Sequence, residues 1–81
     1  MSKDLLERIE INPKIMIGKP VIRGTRIPVE IILRKLSQNI SIEEILQDYP
    51  RLTRKDIQAA LKYAAESISA EEVHLLKTVD S

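Results

Sequence analysis

The sequence lacks cysteine, tryptophan and phenylalanine, and its only aromatic residues are two tyrosines. Without cysteine there is neither a disulfide framework nor a thiolate for metal binding or nucleophilic catalysis, and this composition suits a reducing cytoplasm. The single histidine, His74, cannot form a zinc site alone. No apolar run approaches the ~20 residues of a membrane-spanning helix. We therefore expect a cytoplasmic protein that needs no cofactor, no metal ion and no membrane.

The chain is short but rich in aliphatic residues. Isoleucine, leucine and valine account for 26 of its 81 residues, which is enough to offset the entropy of ordering the chain. This length predicts a single domain, residues 1–81, close to the lower size at which a hydrophobic core suffices. We expect a homodimer, because a second subunit would stabilise so small a domain. The candidate interface consists of the apolar side chains of the N-terminal segment: Ile9, Ile11, Ile15 and Ile17.

The net charge is only +1, but the charges are segregated along the chain. Two segments, 14–35 and 51–62, together hold ten of the 13 basic residues and two of the 12 acidic ones. Such segregation can build a basic face on a nearly neutral protein, as a nucleic-acid binder requires. The alternative is a solvated surface of mixed charges.

Groups suited to catalysis are scarce. Adjacent carboxylates occur only at Glu43-Glu44 and Glu71-Glu72, where the start of a helix accounts for each pair. Neighbouring positions on a helix point about 100° apart, so these carboxylates cannot flank one bond. The glycines, lysine and threonine of residues 18–25 are in the wrong order for a phosphate loop, and Pro20 removes an N–H that such a loop needs. We predict no enzymatic activity.

Residues 8–27 predict a small β arm or hairpin. Isoleucines alternate with other residues on both sides of an Asn-Pro turn, and a β-branched pair at 21–22 lies between two glycine-containing turns. Two roles remain open for the basic residues that follow. Thr25 can cap the next helix while Arg26 pairs with Glu30 four residues on. Alternatively, Arg23 and Arg26 flank bound DNA and clamp its phosphates.

Helical periodicity and capping residues predict four helices after the arm. Pro28 suits the first position of a helix, and Asn39 can adopt the left-handed conformation that ends it. Ser41 and Thr53 are predicted N-caps, and Ser69 repeats the capping-box pattern of Ser41. The predicted helices are 28–38, 41–48, 53–67 and a short one at 70–76, followed by a frayed tail.

Helices 41–48 and 53–67, joined by a tight link, form a helix-turn-helix pattern that helix 28–38 would support. The fold class is therefore mainly α, a three-helix helix-turn-helix domain with a small N-terminal β arm or hairpin. A helical wheel centred on Ile57 places Leu61 inward. It places Arg54 at the N-terminal edge and five residues outward: Lys55, Gln58, Ala59, Lys62 and Glu66.

This outward face suits a DNA major groove. Lysine and arginine can contact phosphate or guanine, Gln58 can read adenine, and Ala59 is small enough to allow close approach. The alternative is an ordinary surface helix whose charges only keep the protein in solution.

Three stretches of sequence occur in a characteristic order: GKPVIRGTRIPV at 18–29, SIEEIL at 41–46 and YPRLT at 49–53. In these stretches the chain resembles the prokaryotic family called domain of unknown function 433, over about residues 9–67. Ile17 and Asn39 stand where that family often has glycine. The resemblance implies a homeodomain-like or winged-helix DNA-binding fold. It also implies an antitoxin of VapB type, paired with a PIN-like ribonuclease toxin.

We therefore predict a DNA-binding, antitoxin-like regulator of a toxin-antitoxin pair that acts through its helix-turn-helix. The alternative is a protein-interaction module that neutralises a PIN-like ribonuclease toxin with little or no DNA binding. The predicted DNA contacts are Arg23, Arg26, Arg51, Arg54, Lys55, Gln58 and Lys62.

Overall fold

In the computed structural model, three helices follow two short strands, which confirms the predicted fold class. The structure describes the backbone of residues 5–80 and the side chains of residues 5–70. The side chain of His74 therefore lies outside the described part. The strands are β1 (Ile9–Glu10) and β2 (Val21–Ile22), and the helices are α1 (Val29–Ser37), α2 (Ile42–Asp48) and α3 (Arg54–Asp80).

The two strands pair antiparallel, with Ile9 opposite Ile22 and Glu10 opposite Val21. The expected alternation of isoleucines ends after β1, because Asn12 closes a turn: its side-chain oxygen accepts a hydrogen bond from the Lys14 N–H at 2.9 Å. A 3₁₀ turn, Met16–Gly18, takes the place of a strand beyond it. The expectation of strand structure at Ile15 and Ile17 is thus wrong.

Three residues that the sequence assigned to helix ends occupy those positions: Asn39, Ser41 and Thr53. Asn39 has a φ of 65°, and the N–H of Asn39 and of Ile40 donate to the carbonyls of Leu36 and Lys35 at 3.0 and 3.1 Å. This pair of bonds is a Schellman motif that ends α1. At the start of α2, the Ser41 hydroxyl accepts a hydrogen bond from the Glu44 N–H at 3.1 Å. These caps confirm the predicted boundaries to within one residue.

The core lies where the three helices meet the sheet. Its largest buried side chains come from β2 and from each of the three helices: Ile22 of β2, Ile32 of α1, Ile45 of α2 and Ile57 of α3. α1 packs against both α2 and α3, and α3 also contacts β1. Ile9 belongs to this core, so it is not available for the dimer interface that the sequence suggested.

α3 is one continuous helix of 27 residues, not two helices at 53–67 and 70–76. The Ser69 capping-box pattern starts no new helix because neither proline nor glycine occurs between residues 54 and 80 to interrupt the backbone hydrogen bonds. At ~1.5 Å per residue, α3 is about 40 Å long.

The buried face of α3 differs from the predicted one. Ala59 is completely buried, whereas Leu61 retains 46% exposure. The buried face is centred on Asp56, Ala60 and Tyr63. At ~100° of rotation per residue, the centre of this face lies about 80° around the helix axis from Ile57, where the prediction placed it. The outward assignment of Ala59 and the inward assignment of Leu61 are therefore wrong. Small alanines on the buried face let α3 approach its neighbours closely.

Candidate nucleic-acid interface

The outward face of α3 is centred on Gln58, which is exposed. Arg54 and Lys62 lie four residues before and after it, so all three side chains share one face of the helix. Leu61 lies beside them and replaces Ala59 as the apolar member of this face. The amide of Gln58 therefore projects into solvent between two cationic side chains.

Two of the cations on this face are paired within the protein. Arg54 forms an ion pair with Glu43 of α2, and the Lys62 ammonium lies 2.8 Å from Glu66 on the next turn of α3. The hydrogen bond from Arg54 lowers the pKa of Glu43 below its usual value of 4.5. A lowered carboxyl pKa means that this pair stabilises the fold above about pH 4.5 and ceases to do so as the pH falls through the folded-state pKa. Arg54 thus joins α2 to α3 across the turn of the helix-turn-helix.

A first cationic cavity, of about 480 Å³, adjoins the first turn of α3. Arg8, Arg23 and Lys55 line it together with Glu7 and Asp56. Backbone oxygens hold the Arg23 guanidinium in place, since its Nε donates to the Glu7 carbonyl at 2.6 Å and its Nη2 to the Ile9 carbonyl at 3.5 Å. Lys55 is exposed at the rim. The structure therefore brings the predicted contacts Arg23 and Lys55 together.

Arg8 and Asp56 are residues of this cavity that the sequence analysis missed. Asp56 is only 6% exposed, and Arg8 Nη1 donates to its Oδ1 at 3.0 Å across 48 positions of sequence. The second carboxylate oxygen accepts the Thr53 N–H at 2.9 Å, while the Thr53 hydroxyl accepts the Asp56 N–H at 3.3 Å. This reciprocal cap confirms Thr53 as the N-cap of α3. The Thr-x-x-Asp spacing was the available signal for Asp56, whereas nothing local marks Arg8.

A second cationic cavity, also about 480 Å³, lies next to the turn between α2 and α3. Arg26 and Arg51 line it, with Glu10, Ile15, Gly24 and Thr25. The structure thus unites two further predicted contacts that are 25 positions apart in sequence.

The predicted pair between Arg26 and Glu30 is wrong. Glu30 lies 3.0 Å from Lys19 and 3.2 Å from Arg34, and the hydrogen bond from Lys19 is the main cause that lowers the pKa of the Glu30 carboxyl. The predicted role of Thr25 as a helix cap is wrong as well. Its hydroxyl donates to the Ile22 carbonyl at 2.7 Å and accepts the Ile27 N–H at 3.0 Å, which closes the turn after β2.

A smaller apolar cavity of about 290 Å³ lies between α1 and the middle of α3, and its lining includes Leu33, Tyr63 and Ile68. Within the described part of the chain, no group of three or more histidine, aspartate or glutamate side chains is arranged to hold a metal ion. Nor does any helix of that part have the length and apolar character needed to cross a membrane. The two cationic cavities therefore remain as the candidate site, since each holds more basic than acidic side chains.

A solved structure has the same fold as this chain. A crystal structure of a DUF433 member protein from Anabaena variabilis matches with a TM-score of 0.74 and 31% sequence identity, over 91% of this chain and 73% of that chain. The uncharacterized protein y4eO of Sinorhizobium fredii is 36% identical over 58 residues, and an uncharacterized protein of Archaeoglobus fulgidus is 55% identical over 29 residues.

The coverage of these relatives differs. The match includes 72% of this chain but 26% of the S. fredii protein, so the chain spans about a quarter of that relative's length. For the A. fulgidus protein the shares are 36% of this chain and 81% of the relative. The family model described as "Protein of unknown function (DUF433)" matches residues 9–64, which include both strands, α1, α2 and the first part of α3. The chain therefore belongs to the DUF433 family.

Proposed function

We propose that this protein binds DNA through α2 and α3 and has no enzymatic activity of its own. The observation that carries the proposal is the grouping of four basic side chains at the N-terminal end of α3: Lys55 lies with Arg23 at the first turn of the helix, and Arg51 lies with Arg26 at the turn that precedes it. The exposed face of the same helix is centred on Gln58. A recognition helix contacts base edges mainly through its N-terminal residues, while cations around it contact the phosphates. The start of α3 combines these two kinds of group.

The residues divide into two roles. Arg23 and Lys55 of the first cavity, and Arg26 and Arg51 of the second, bind phosphate oxygens. Gln58 reads a base edge, for which adenine is the natural partner of a side-chain amide. Arg54 and Lys62 contact DNA by exchanging Glu43 and Glu66 for phosphate.

The proposal predicts two distinguishable effects on binding to DNA from the protein's own promoter. Lys55→Ala should lower the slope of log K against log salt by about one, because one fewer phosphate is neutralised. Gln58→Ala should leave the slope unchanged and cost about 1 to 3 kcal/mol at a single base pair. Fluorescence anisotropy across a salt series, with wild-type and singly substituted duplexes, measures both quantities.

A matched control for Lys55 is Arg34→Ala. Arg34 is an exposed cation on α1 whose partner is Glu30, and it lines neither cationic cavity. Its removal should leave the salt slope at the wild-type value. Equal slopes for wild type, Lys55→Ala and Arg34→Ala would show that the start of α3 does not contact phosphate.

Glu43→Gln tests whether Arg54 exchanges partners. The substitution removes a negative charge beside Arg54 and frees its guanidinium, so DNA affinity should rise by about 1.5-fold to fivefold, on the scale of one exposed charge pair. Glu44→Gln is the control, because Glu44 is adjacent in sequence and lies near Ser41 instead of Arg54. Fluorescence anisotropy at one low salt concentration measures the DNA affinities of both variants and of wild type. If both variants gain equally, the effect comes from net charge and not from Arg54.

A second candidate function is neutralisation of a PIN-like ribonuclease toxin, as the family resemblance implies. The apolar cavity between α1 and α3 favours it, since a partner protein could bury Leu33, Tyr63 and Ile68 there. Contact through this cavity would depend little on salt, in contrast to phosphate contact. A homodimer also remains a prediction, and Ile9 is no longer part of its candidate interface.

A further inference from the structure

The turn between the two strands carries an exposed apolar tip. Ile17 is 95% exposed and Met16 is 42% exposed, although both are large hydrophobic side chains. We define the tip as residues 14–18. The two residues are adjacent in sequence within the turn Met16–Gly18, so they form a small apolar patch and not a single scattered side chain.

The backbone of the tip is also strained. Met16 and Ile17 have φ angles of 52° and 56°, in the left-handed region. That region is unfavourable for residues with a Cβ and most unfavourable for a β-branched residue such as Ile17. Glycine would relieve the strain at position 17, yet the chain places there the most exposed hydrophobic side chain of its described part. An exposed apolar side chain held in a strained backbone gains nothing for the isolated fold, which indicates a role in contact with another molecule.

The surroundings of the tip carry more basic than acidic side chains. Residues 11–26 include four basic residues and no acidic one, and Lys19 among them pairs with Glu30. Ile15, within the tip, lines the second cationic cavity together with Arg26, Arg51 and Glu10. The tip therefore continues the surface that we assign to phosphate contact. A protein partner would have to supply matching acids around its apolar pocket, whereas DNA supplies a negative backbone on both sides of a stack of apolar base faces.

We propose, on the basis of the DNA binding proposed above, that the tip enters the minor groove and that Ile17 inserts between two base pairs. Other minor-groove binding proteins insert apolar side chains, isoleucine and methionine among them, as wedges between neighbouring base pairs. Such an insertion unstacks the base step and bends the duplex. Arg26 and Arg51 then hold the phosphates beside the wedge. The bend adds selectivity for flexible base steps, through DNA deformability instead of base-edge hydrogen bonds.

Ile17→Gly separates this role from a structural one, because it removes the wedge and the strain together. Its midpoint of thermal unfolding should rise, while affinity for a 30-base-pair duplex falls about tenfold and the bend is reduced, as measured by energy transfer between dyes on the DNA ends. The salt slope should stay at the wild-type value, since no cation is lost. Ile17→Leu keeps an apolar wedge and should retain the bend. Ile11→Ser removes another exposed isoleucine, 58% exposed, and should bind and bend DNA as wild type does.

The outcomes distinguish the two proposals. If wild type binds and bends DNA but Ile17→Gly does so equally, the wedge is overturned and the proposed function stands. If wild type binds DNA without bending it, the wedge is overturned as well. If wild type binds no DNA at any salt concentration, both proposals fall. Weaker self-association of Ile17→Gly in sedimentation, with unchanged DNA binding, would identify the tip as a protein contact and overturn the wedge.

Discussion

Ile57→Ala should lower the free energy of unfolding by about 2 to 5 kcal/mol, a large part of what a domain of this size has available. Ile57 has no solvent exposure, and it joins α3 to the core formed by Ile32 of α1 and Ile45 of α2. Truncation leaves a cavity that the neighbouring helices can close only in part. Urea denaturation followed by circular dichroism measures the loss directly.

Leu61→Ala is the matched control, because it truncates an aliphatic side chain one turn further along the same helix. Leu61 is 46% exposed, so its removal should cost about 1 kcal/mol or less. The original wheel centred on Ile57 expects both residues to face inward and both variants to be destabilised strongly. A larger loss for Leu61→Ala than for Ile57→Ala would contradict the packing of α3 described above.

Asp56→Ala should lower the free energy of unfolding by about 2 to 4 kcal/mol, the combined loss of a helix cap and of a hydrogen bond between charged groups. The substitution deprives the Thr53 N–H of its acceptor and leaves Arg8 without its carboxylate. The Arg8 side chain is 38% exposed, so water can hydrate its charge in part once the carboxylate is gone. The loss of stability should therefore be smaller than the cost of breaking a fully buried ion pair.

Asp56→Asn refines this test because asparagine keeps an acceptor for the Thr53 N–H and loses only the charge toward Arg8. It should be less destabilising than Asp56→Ala in the same denaturation experiment. Arg8→Ala should cost about as much as Asp56→Asn, since both remove the ion pair and leave the cap. Additive losses in the double variant Arg8→Ala with Asp56→Asn would show that the two side chains do not interact.

Local signals predicted the helix boundaries well. Ser41 and Thr53 cap helices, and Asn39 ends one, because each acts on backbone groups within a few residues of itself. Such bonds depend little on the rest of the fold, so the sequence alone contains the necessary information. The error at Ser69 has the same cause. Its capping-box pattern is local, but it lies inside a helix that no residue interrupts, so no new helix starts there.

The face of α3 could not be predicted in the same way. Asp56 lies at the centre of the buried face, but an aspartate in the first turn of a helix is ordinarily exposed. Its partner, Arg8, is 48 positions away, and only the folded chain brings the two together. Because the predicted wheel was centred on Ile57 and did not include Asp56 in the buried face, that face rotated toward Leu61 and exposed Ala59. The DNA contacts proposed for Arg23, Arg26, Arg51 and Lys55 stay predictions. Their grouping in the two cavities depends little on the rotation, because they lie in the arm, in the turn and at the start of α3.

The uninterrupted length of α3 has a mechanical consequence. An α-helix is stiff along its axis, so a tilt of about 10° at its first turn displaces the end of a 27-residue helix by about 7 Å. The contacts of Thr53 and Asp56 lie at this first turn and help to hold its orientation. A small change in the orientation of the first turn is therefore amplified along the helix, and the displacement grows in proportion to the distance from that turn.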